Sequence, residues 1–374
     1  MLNIEKILKR SWHILWNYRT LWIFGFILAL AAGGGGASGN SNYSSRQDGN
    51  NHSEQVYSPL NPENWQGNTP AEKMSDGFAK MGEAIAQLRA DYPVEFQMGI
   101  AVAITLFVTG LLFGLVITVL RYLSETATIR MVDEYEQTGL KVGFRQGWKY
   151  GWSRISWRLF FIDLIVHLPA LFMFVLLMLV TWWIISAALA GVEAALITSL
   201  VAGIGLLFLF GFIIFFVMLV LYVVRDFAWR ISILENKAVL ESLRLAGALI
   251  WRNWKNVGLM WLVVVAFNIA WTIIFFVLLF PLLAISMITA LGGLLVATLP
   301  TLATAGIASL LSAPGYWPWA FALIIGGPLF FLIAFSPILL VSGWALLYQS
   351  NLWTLTYREL KAIETVSPTP ILTE

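Results

Sequence analysis

No charged residue occurs between Asn256 and Tyr357, and four further apolar runs precede this stretch. An apolar run of 18 or more residues is long enough to cross a bilayer as a helix and is too long for an ordinary soluble core. Over the whole chain 59% of the residues are hydrophobic and 12% are charged, whereas about 25% are charged in a typical soluble domain. The sequence therefore predicts an all-α integral membrane protein.

Six transmembrane helices are predicted from these runs. They cover residues 21–37, 96–123, 159–187, 194–224, 257–280 and 317–348. If both termini lie in the cytoplasm, most of the 23 Lys and Arg residues fall in segments on the inner side, as is typical of membrane proteins. This topology leaves an outer loop at residues 38–95, where an amphipathic helix from Met74 to Tyr92 is a candidate surface for a protein partner.

Residues 281–316 carry no charge and contain Pro281, Pro300 and Pro314. One further crossing here would move the C-terminal tail to the outside, against the distribution of basic residues. We therefore expect an outer re-entrant or interfacial helical hairpin over 281–316, broken at its prolines. Residues 1–365 are predicted to form a single helical membrane domain, and residues 366–374 a disordered tail.

Three similar segments indicate an internal repeat: ILWNYRTLWIFG at 14–25, YGWSRISWRLFF at 150–161 and LIWRNWKNVGLMW at 249–261. Each places Trp and polar or basic residues before an apolar run, and each follows a basic amphipathic segment. The predicted fold is three helical hairpins, each preceded by a cytoplasmic amphipathic helix, in units of about 1–135, 136–235 and 236–361. The alternative is that membrane helices in general carry Trp and Arg at their ends.

The segment ILENKAVLESLRLAGALIWRNWKNVG (233–258) resembles the repeat of bacterial multi-pass membrane proteins related to the glycerophosphodiester phosphodiesterase membrane domain. The shared features are Glu235-Asn236, then Ser242-Leu243-Arg244, and Trp254-Lys255. The resemblance is strongest over 220–262 and weaker over 119–161. In some members the membrane part is fused to a soluble phosphodiesterase barrel, for which this chain has no soluble stretch long enough. The resemblance thus implies a bacterial membrane module of unknown role and does not imply phosphodiesterase activity.

Two glycine patterns predict close packing of helices. Gly110 and Gly114 form a GxxxG pair in the second predicted span, where small residues let two helix backbones approach, within the chain or between chains. In GLKVGFRQGWKYG (139–151) a glycine recurs every fourth residue, which on a helix would form one line.

The same segment contains a candidate site for a lipid headgroup. Lys141, Arg145 and Lys149 are also four residues apart, and Trp148 and Trp152 lie among them. Basic side chains near an anionic leaflet are attracted to lipid phosphates, and Trp favours the membrane interface. The alternative is that the segment only packs helices together.

Polar side chains within the predicted spans are candidate functional residues, because such groups are costly in a bilayer. Asp163 and His167 are four residues apart in the third span. They would form either a proton or ion relay or a structural hydrogen-bonded group with Arg158. Asn268 in the fifth span is expected to link two helices.

The sequence contains no clustered set of catalytic or metal-binding side chains. There is no cysteine, and the three histidines lack metal-ligand spacing. We therefore predict a non-enzymatic protein without a cofactor or metal, and nucleic acid is not an expected partner. The leading hypothesis is that it binds or organises lipids, with anionic lipids of the cytoplasmic leaflet as partners. A secondary transporter and a membrane scaffold are the alternatives.

Overall fold

The computed structural model describes residues 2–33, 66–67, 70–190, 192–310 and 317–366. Helix is the only regular secondary structure in this part of the chain, which confirms the predicted all-α class. Twelve helices lie within these ranges. They are α1 (Ile4–Asn17), α2 (Leu21–Ala31), α3 (Pro70–Asp91), α4 (Pro93–Thr138), α5 (Phe144–Gly151), α6 (Arg154–Val166), α7 (Leu168–Leu189), α8 (Glu193–Leu234), α9 (Val239–Arg252), α10 (Trp254–Leu310), α11 (Trp317–Ala334) and α12 (Ser336–Val366).

Four of these helices, α4, α7, α8 and α10, are long and apolar enough to cross a membrane. Two bent pairs raise the number to six if each pair is one span: α1 with α2, at 100°, and α11 with α12, at 65°. The chain is therefore a membrane protein with four to six candidate spans. The arrangement as six spans in three hairpins stays a prediction. The predicted first span continues beyond Gly33 into residues that the structure does not describe.

The expected break of the chain at Pro281 and Pro300 was wrong. Both prolines lie inside α10, which runs for 57 residues without interruption. A proline removes one backbone hydrogen bond, but neighbouring helices can sustain a membrane helix through it. Here α11 packs along the second half of α10, where Thr289 Oγ1 donates a hydrogen bond to the Ala334 carbonyl at 2.9 Å.

Two helical arms, α10 and α11, pack along each other here, and the connection at residues 311–316 lies outside the described residues. The outer re-entrant or interfacial hairpin over 281–316 stays a prediction. Glycine lets the two arms approach closely, because a Cβ on Gly293 would lie 3.2 Å from the Phe330 carbonyl oxygen. Tertiary contact between the arms, rather than the prolines, sets the shape of the segment.

The chain divides into two compact units, and the larger consists of Met1–Ser38, Leu106–Leu164 and Tyr222–Glu374. Its core is the cluster of C-terminal ends of α4, α8 and α12, which we call the three-helix core (residues 122–138, 222–234 and 348–366). The Phe227 and Trp353 rings meet there edge to face at 5.5 Å. Arg230, which is fully buried, donates to the Ser350 carbonyl at 3.1 Å. Polar and aromatic contacts thus join these helix ends.

In the larger unit a short helix precedes an apolar helix at three junctions: α1 before α2, α5 before α6 and α9 before α10. Each junction contacts the end of a core helix or the turn after it. The Tyr18 hydroxyl donates to the Val142 carbonyl at 2.8 Å, after α4. Arg158 donates to Asn236, after α8, and Asn253 donates to Glu364, near the end of α12. The internal repeat itself stays a prediction.

The smaller unit consists of Gly39–Thr105 and Ile165–Leu221. Within it α7 pairs with α8, and the Phe172 and Phe210 rings lie 5.8 Å apart. The amphipathic helix expected from Met74 to Tyr92 is α3, which packs on α7. Ile85 and Leu88 on α3 remain exposed.

Candidate functional site

A groove of about 970 Å³ lies in the larger unit between α4 and the junction of α5 with α6. One wall belongs to α4 and is almost entirely apolar. It consists of Phe107, Gly110, Leu111, Gly114, Leu115, Thr118, Val119, Tyr122 and Leu123. The other wall belongs to the junction and consists of Gly151, Trp152, Ser153, Arg154, Ser156, Trp157 and Phe160.

The apolar wall follows from residue spacing on α4. Gly110, Gly114, Thr118 and Tyr122 recur every fourth residue and so lie on one face of the helix. No heavy atom of a neighbouring element lies within 4 Å of the position that a Cβ would take on Gly110 or Gly114. The close helix contact expected at these two glycines is therefore not made with any described residue of the same chain, and a contact between chains stays a prediction. The glycines instead form a trough without side chains.

The junction wall is pressed against α4 at one glycine. A Cβ on Gly151 would lie 2.5 Å from the Leu123 carbonyl oxygen, a distance that no side chain tolerates. The α5 helix ends here because Trp152 leaves the helical conformation, with a φ of −78° and a ψ of 58°, and the chain then turns into α6. This turn brings Ser153 and Arg154 to the groove.

The groove has polar groups at its junction side. Arg154 is exposed and forms no ion pair with any described residue. The Ser153 hydroxyl oxygen is buried and has no hydrogen-bond partner in the part of the chain that is described. Trp152 and Trp157 are 69% and 58% exposed. The site thus combines an apolar trough with one free cation, an unpartnered hydroxyl and two exposed indole rings.

Asp163 lies beneath the groove and is only 7% exposed. The Tyr122 hydroxyl donates to Asp163 Oδ2 at 2.7 Å, and the Tyr122 ring packs edge to face on Phe160 at 5.9 Å. Arg225 on α8 lies 3.4 Å from Asp163 Oδ1. The carboxylate therefore fixes Tyr122 in the wall of the groove and is paired with a partly buried arginine.

The expected partnership of Asp163 with Arg158 was wrong. Arg158 points to the turn after α8, where Nη1 donates to Asn236 Oδ1 at 2.9 Å and to the Lys237 carbonyl at 3.0 Å. The reason is helical geometry, because residues five apart do not share a face of α6. His167 lies in the smaller unit, at the start of α7.

The predicted row of Lys141, Arg145 and Lys149 does not lie on one helix. The chain is non-helical from Gly139 to Gly143, so Lys141 precedes α5. Gly139 has a φ of 72°, which ends α4 and also breaks the predicted line of four glycines. All three basic side chains are exposed, and none of them lines the groove. Trp148 does not line the groove either. Of the predicted headgroup residues, the groove contains Trp152.

Asn268 on α10 accepts a hydrogen bond from the Gln349 amide on α12. This contact lies in the larger unit and joins two helices. It does not involve the groove, whose lining residues come from α4 and the α5–α6 junction.

A second cavity, of about 440 Å³, lies at the end of the three-helix core and is lined by charged side chains. Each cation there is paired with an acid. The pairs are Lys6–Glu359 at 3.0 Å, Arg10–Glu136 at 2.7 Å, Lys361–Glu235 at 2.7 Å and Arg358–Asp133. Burial raises the pKa of Glu235, but hydrogen bonds from Lys361 and Tyr357 outweigh it and lower that pKa below its ordinary value. These ion pairs join helix ends and leave no charge free for a ligand.

Sequence reasoning missed Arg154, Ser153 and Tyr122 as members of a site. Two signals pointed to them: the spacing of four that links Gly110 and Gly114 to Tyr122, and the WSR triplet in the junction segment. Neither signal shows which side of α4 is left open. Among the described residues no group of three or more His, Asp and Glu side chains is placed to hold a metal ion.

A model of a family of unknown function (DUF7544) matches residues 7–350. No curated protein and no solved structure matches the chain.

Proposed function

This chain belongs to the DUF7544 family of unknown function, and we propose that it is a non-enzymatic membrane protein that binds an amphipathic molecule in the groove between α4 and the α5–α6 junction. The observation that carries the proposal is the groove itself. Its apolar trough and its polar, cationic edge match the two halves of an amphipath.

The trough opens toward the region that lipid occupies. The side chains of α4 around the glycines, such as Leu112 and Val116, are exposed, which suits a helix surface in contact with hydrocarbon. A molecule dissolved in the bilayer would therefore reach the groove sideways, without crossing water. An opening of this kind favours binding of a lipid-like molecule over a polar solute.

The distribution of exposed Trp side chains supports the same proposal. Exposed Trp side chains lie at the three junctions between a short helix and a longer apolar segment: Trp12 and Trp16, Trp152 and Trp157, and Trp251 and Trp254. Trp is enriched at the level of the lipid headgroups. We place these junctions at the cytoplasmic surface of a bacterial inner membrane, with six spans and both termini inside. The polar edge of the groove then lies at headgroup depth.

The test is to fill the trough and measure retained lipid. The full chain is reconstituted into vesicles of phosphatidylglycerol and phosphatidylcholine and then extracted in a mild detergent. Native mass spectrometry measures the mass of the lipid that stays bound to the protein. Gly114→Leu places a branched side chain in the open trough, and we expect it to abolish the retained lipid. Gly205→Leu is the matched control, because Gly205 is an exposed helical glycine on α8 with no neighbouring atom within 4 Å of its Cβ position. Retention of lipid by Gly114→Leu at the level of the control would contradict the proposal.

A further inference from the structure

We infer that the ligand of the groove is an anionic phospholipid, with its phosphate at Arg154 and Ser153 and one acyl chain along Gly110 and Gly114. This inference rests on the proposed function and names the ligand class of that same site. Charge, hydrogen bonding and shape at the groove support it.

The charge at the groove selects an anion. Arg154 is the only charged side chain among the residues that line it, and no described acid pairs with Arg154. A guanidinium group presents several N–H donors in one plane and binds phosphate oxygens at two points. A zwitterionic lipid such as phosphatidylcholine also offers a phosphate, but it brings a quaternary ammonium close to this cation, whereas an anionic headgroup brings a net negative charge that neutralises it.

The Ser153 hydroxyl, next to Arg154, favours a ligand with a hydrogen-bond acceptor. The Ser153 hydroxyl is buried without a partner, which is unfavourable for a polar group removed from water. A phosphate oxygen bound at Arg154 would accept a hydrogen bond from this hydroxyl. The adjacent residue order, Ser153 and then Arg154, therefore supplies a donor and a cation to one headgroup.

The shape of the trough fits a single acyl chain. From Phe107 to Leu123 the lining residues follow about 24 Å of α4, at a rise of 1.5 Å per residue. This length exceeds the hydrocarbon depth of one leaflet, which is about 15 Å, half of a 30 Å core. An extended chain from a lipid whose phosphate lies at the junction thus fits along the glycines. A free phosphate ion would use none of this apolar wall.

Phosphatidylcholine is the alternative ligand that best tests the inference. Exposed Trp152 and Trp157 rings could serve a quaternary ammonium through cation–π contacts. The groove has no acid to assist that group, and its one cation repels it. The preference for phosphatidylglycerol over phosphatidylcholine is therefore the quantity that reports on the inference.

The experiment measures this preference for the full chain in vesicles with equal amounts of the two lipids, by native mass spectrometry. Arg154→Gln should lower the ratio of bound phosphatidylglycerol to phosphatidylcholine roughly fivefold, the effect of one basic residue at an anionic surface. Arg145→Gln is the matched control, because Arg145 is an exposed cation of α5 outside the groove. It should leave the ratio unchanged.

The possible outcomes distinguish failure of the inferred ligand class from failure of the proposed binding groove. An unchanged ratio in Arg154→Gln, with loss of lipid in Gly114→Leu, overturns the anionic ligand and leaves the proposed function standing. Equal decreases in Arg154→Gln and Arg145→Gln would show a general surface-charge effect and also overturn the inference. Lipid retention that survives Gly114→Leu overturns both.

Discussion

Arg158 on α6 holds the turn that follows α8: its Nη1 donates to Asn236 Oδ1 at 2.9 Å and to the Lys237 carbonyl at 3.0 Å. Asn236 has a φ of 56°, in the left-handed region that few residues other than glycine adopt. The turn places the Asn236 side-chain oxygen next to Arg158, and the hydrogen bond from Arg158 in return stabilises the turn. The contact joins segments 78 residues apart in the chain.

Replacement of Asn236 should separate the hydrogen bond from the backbone conformation. Asn236→Gly and Asn236→Ala both remove the side-chain hydrogen bond from Arg158 and keep its bonds to the backbone carbonyls, but only alanine strains the left-handed backbone. We expect Asn236→Ala to be less stable than Asn236→Gly by about 1–2 kcal/mol. Thermal unfolding in detergent, followed by circular dichroism, measures the difference. Equal stability of the two variants would show that the turn relaxes.

Close packing of α2 on α12 depends on Gly343. A Cβ there would lie 2.6 Å from the backbone carbonyl of Gly25. We expect Gly343→Ala to destabilise the protein by about 1–3 kcal/mol, the usual effect of overpacking. Gly258→Ala on α10 is the control, because no neighbouring atom lies within 4 Å of that Cβ position. If both variants unfold at the same temperature, the two helices separate without cost.

The hydrogen bond from Tyr122 to Asp163 should contribute measurably to stability. Tyr122→Phe removes the donor to a buried carboxylate, and we expect a loss of about 1.5–3 kcal/mol. In a double-mutant cycle with Asp163→Asn the two losses should not add, because the residues share one interaction. Tyr92→Phe on α3 is the control, since the Tyr92 ring is exposed. Strict additivity would show that the bond contributes nothing.

Acid should weaken the contact of Glu235 with α12. Its pKa in the folded protein lies below the ordinary value of 4.5, because burial is outweighed by hydrogen bonds from Lys361 and Tyr357. A lowered pKa means that this stabilisation is fully present above pH 4.5 and is lost as the pH falls through the folded-state pKa. The melting temperatures of the protein and of Glu235→Gln should therefore converge below about pH 4.5. A difference independent of pH would mean that the ionised carboxylate is not the stabilising form.

Labelling of single cysteines tests the proposed topology, because the chain has no cysteine of its own. Glu5→Cys on α1 and Glu83→Cys on α3 both place a thiol at an exposed position. An impermeant maleimide added to intact cells without an outer membrane should label Glu83→Cys and leave Glu5→Cys unlabelled. The reverse pattern would invert the membrane orientation, and labelling of both would show that α1 lies outside.

Properties that depend on neighbouring residues in the chain were predictable. The apolar runs identify a helical membrane protein, and amphipathic periodicity identifies α1, α3 and α9, because both signals are local. The junction segments were also recognised, since Trp and basic residues precede the apolar helices there. Helix ends were less predictable: Gly139 breaks the expected basic row because of its left-handed backbone.

Properties that depend on distant partners were decided only by the tertiary structure. Gly110 and Gly114 suit either a helix contact or an open trough, and only the position of the α5–α6 junction leaves them open. Asp163 finds Arg225, 62 residues away, and not Arg158 on its own helix. The passage of α10 through Pro281 depends on helices that pack beside it. The sequence by itself determined the helices and their membrane environment, whereas the fold decided which faces meet and which one is left free to bind a ligand, because side-chain partners far apart in the chain are chosen by packing.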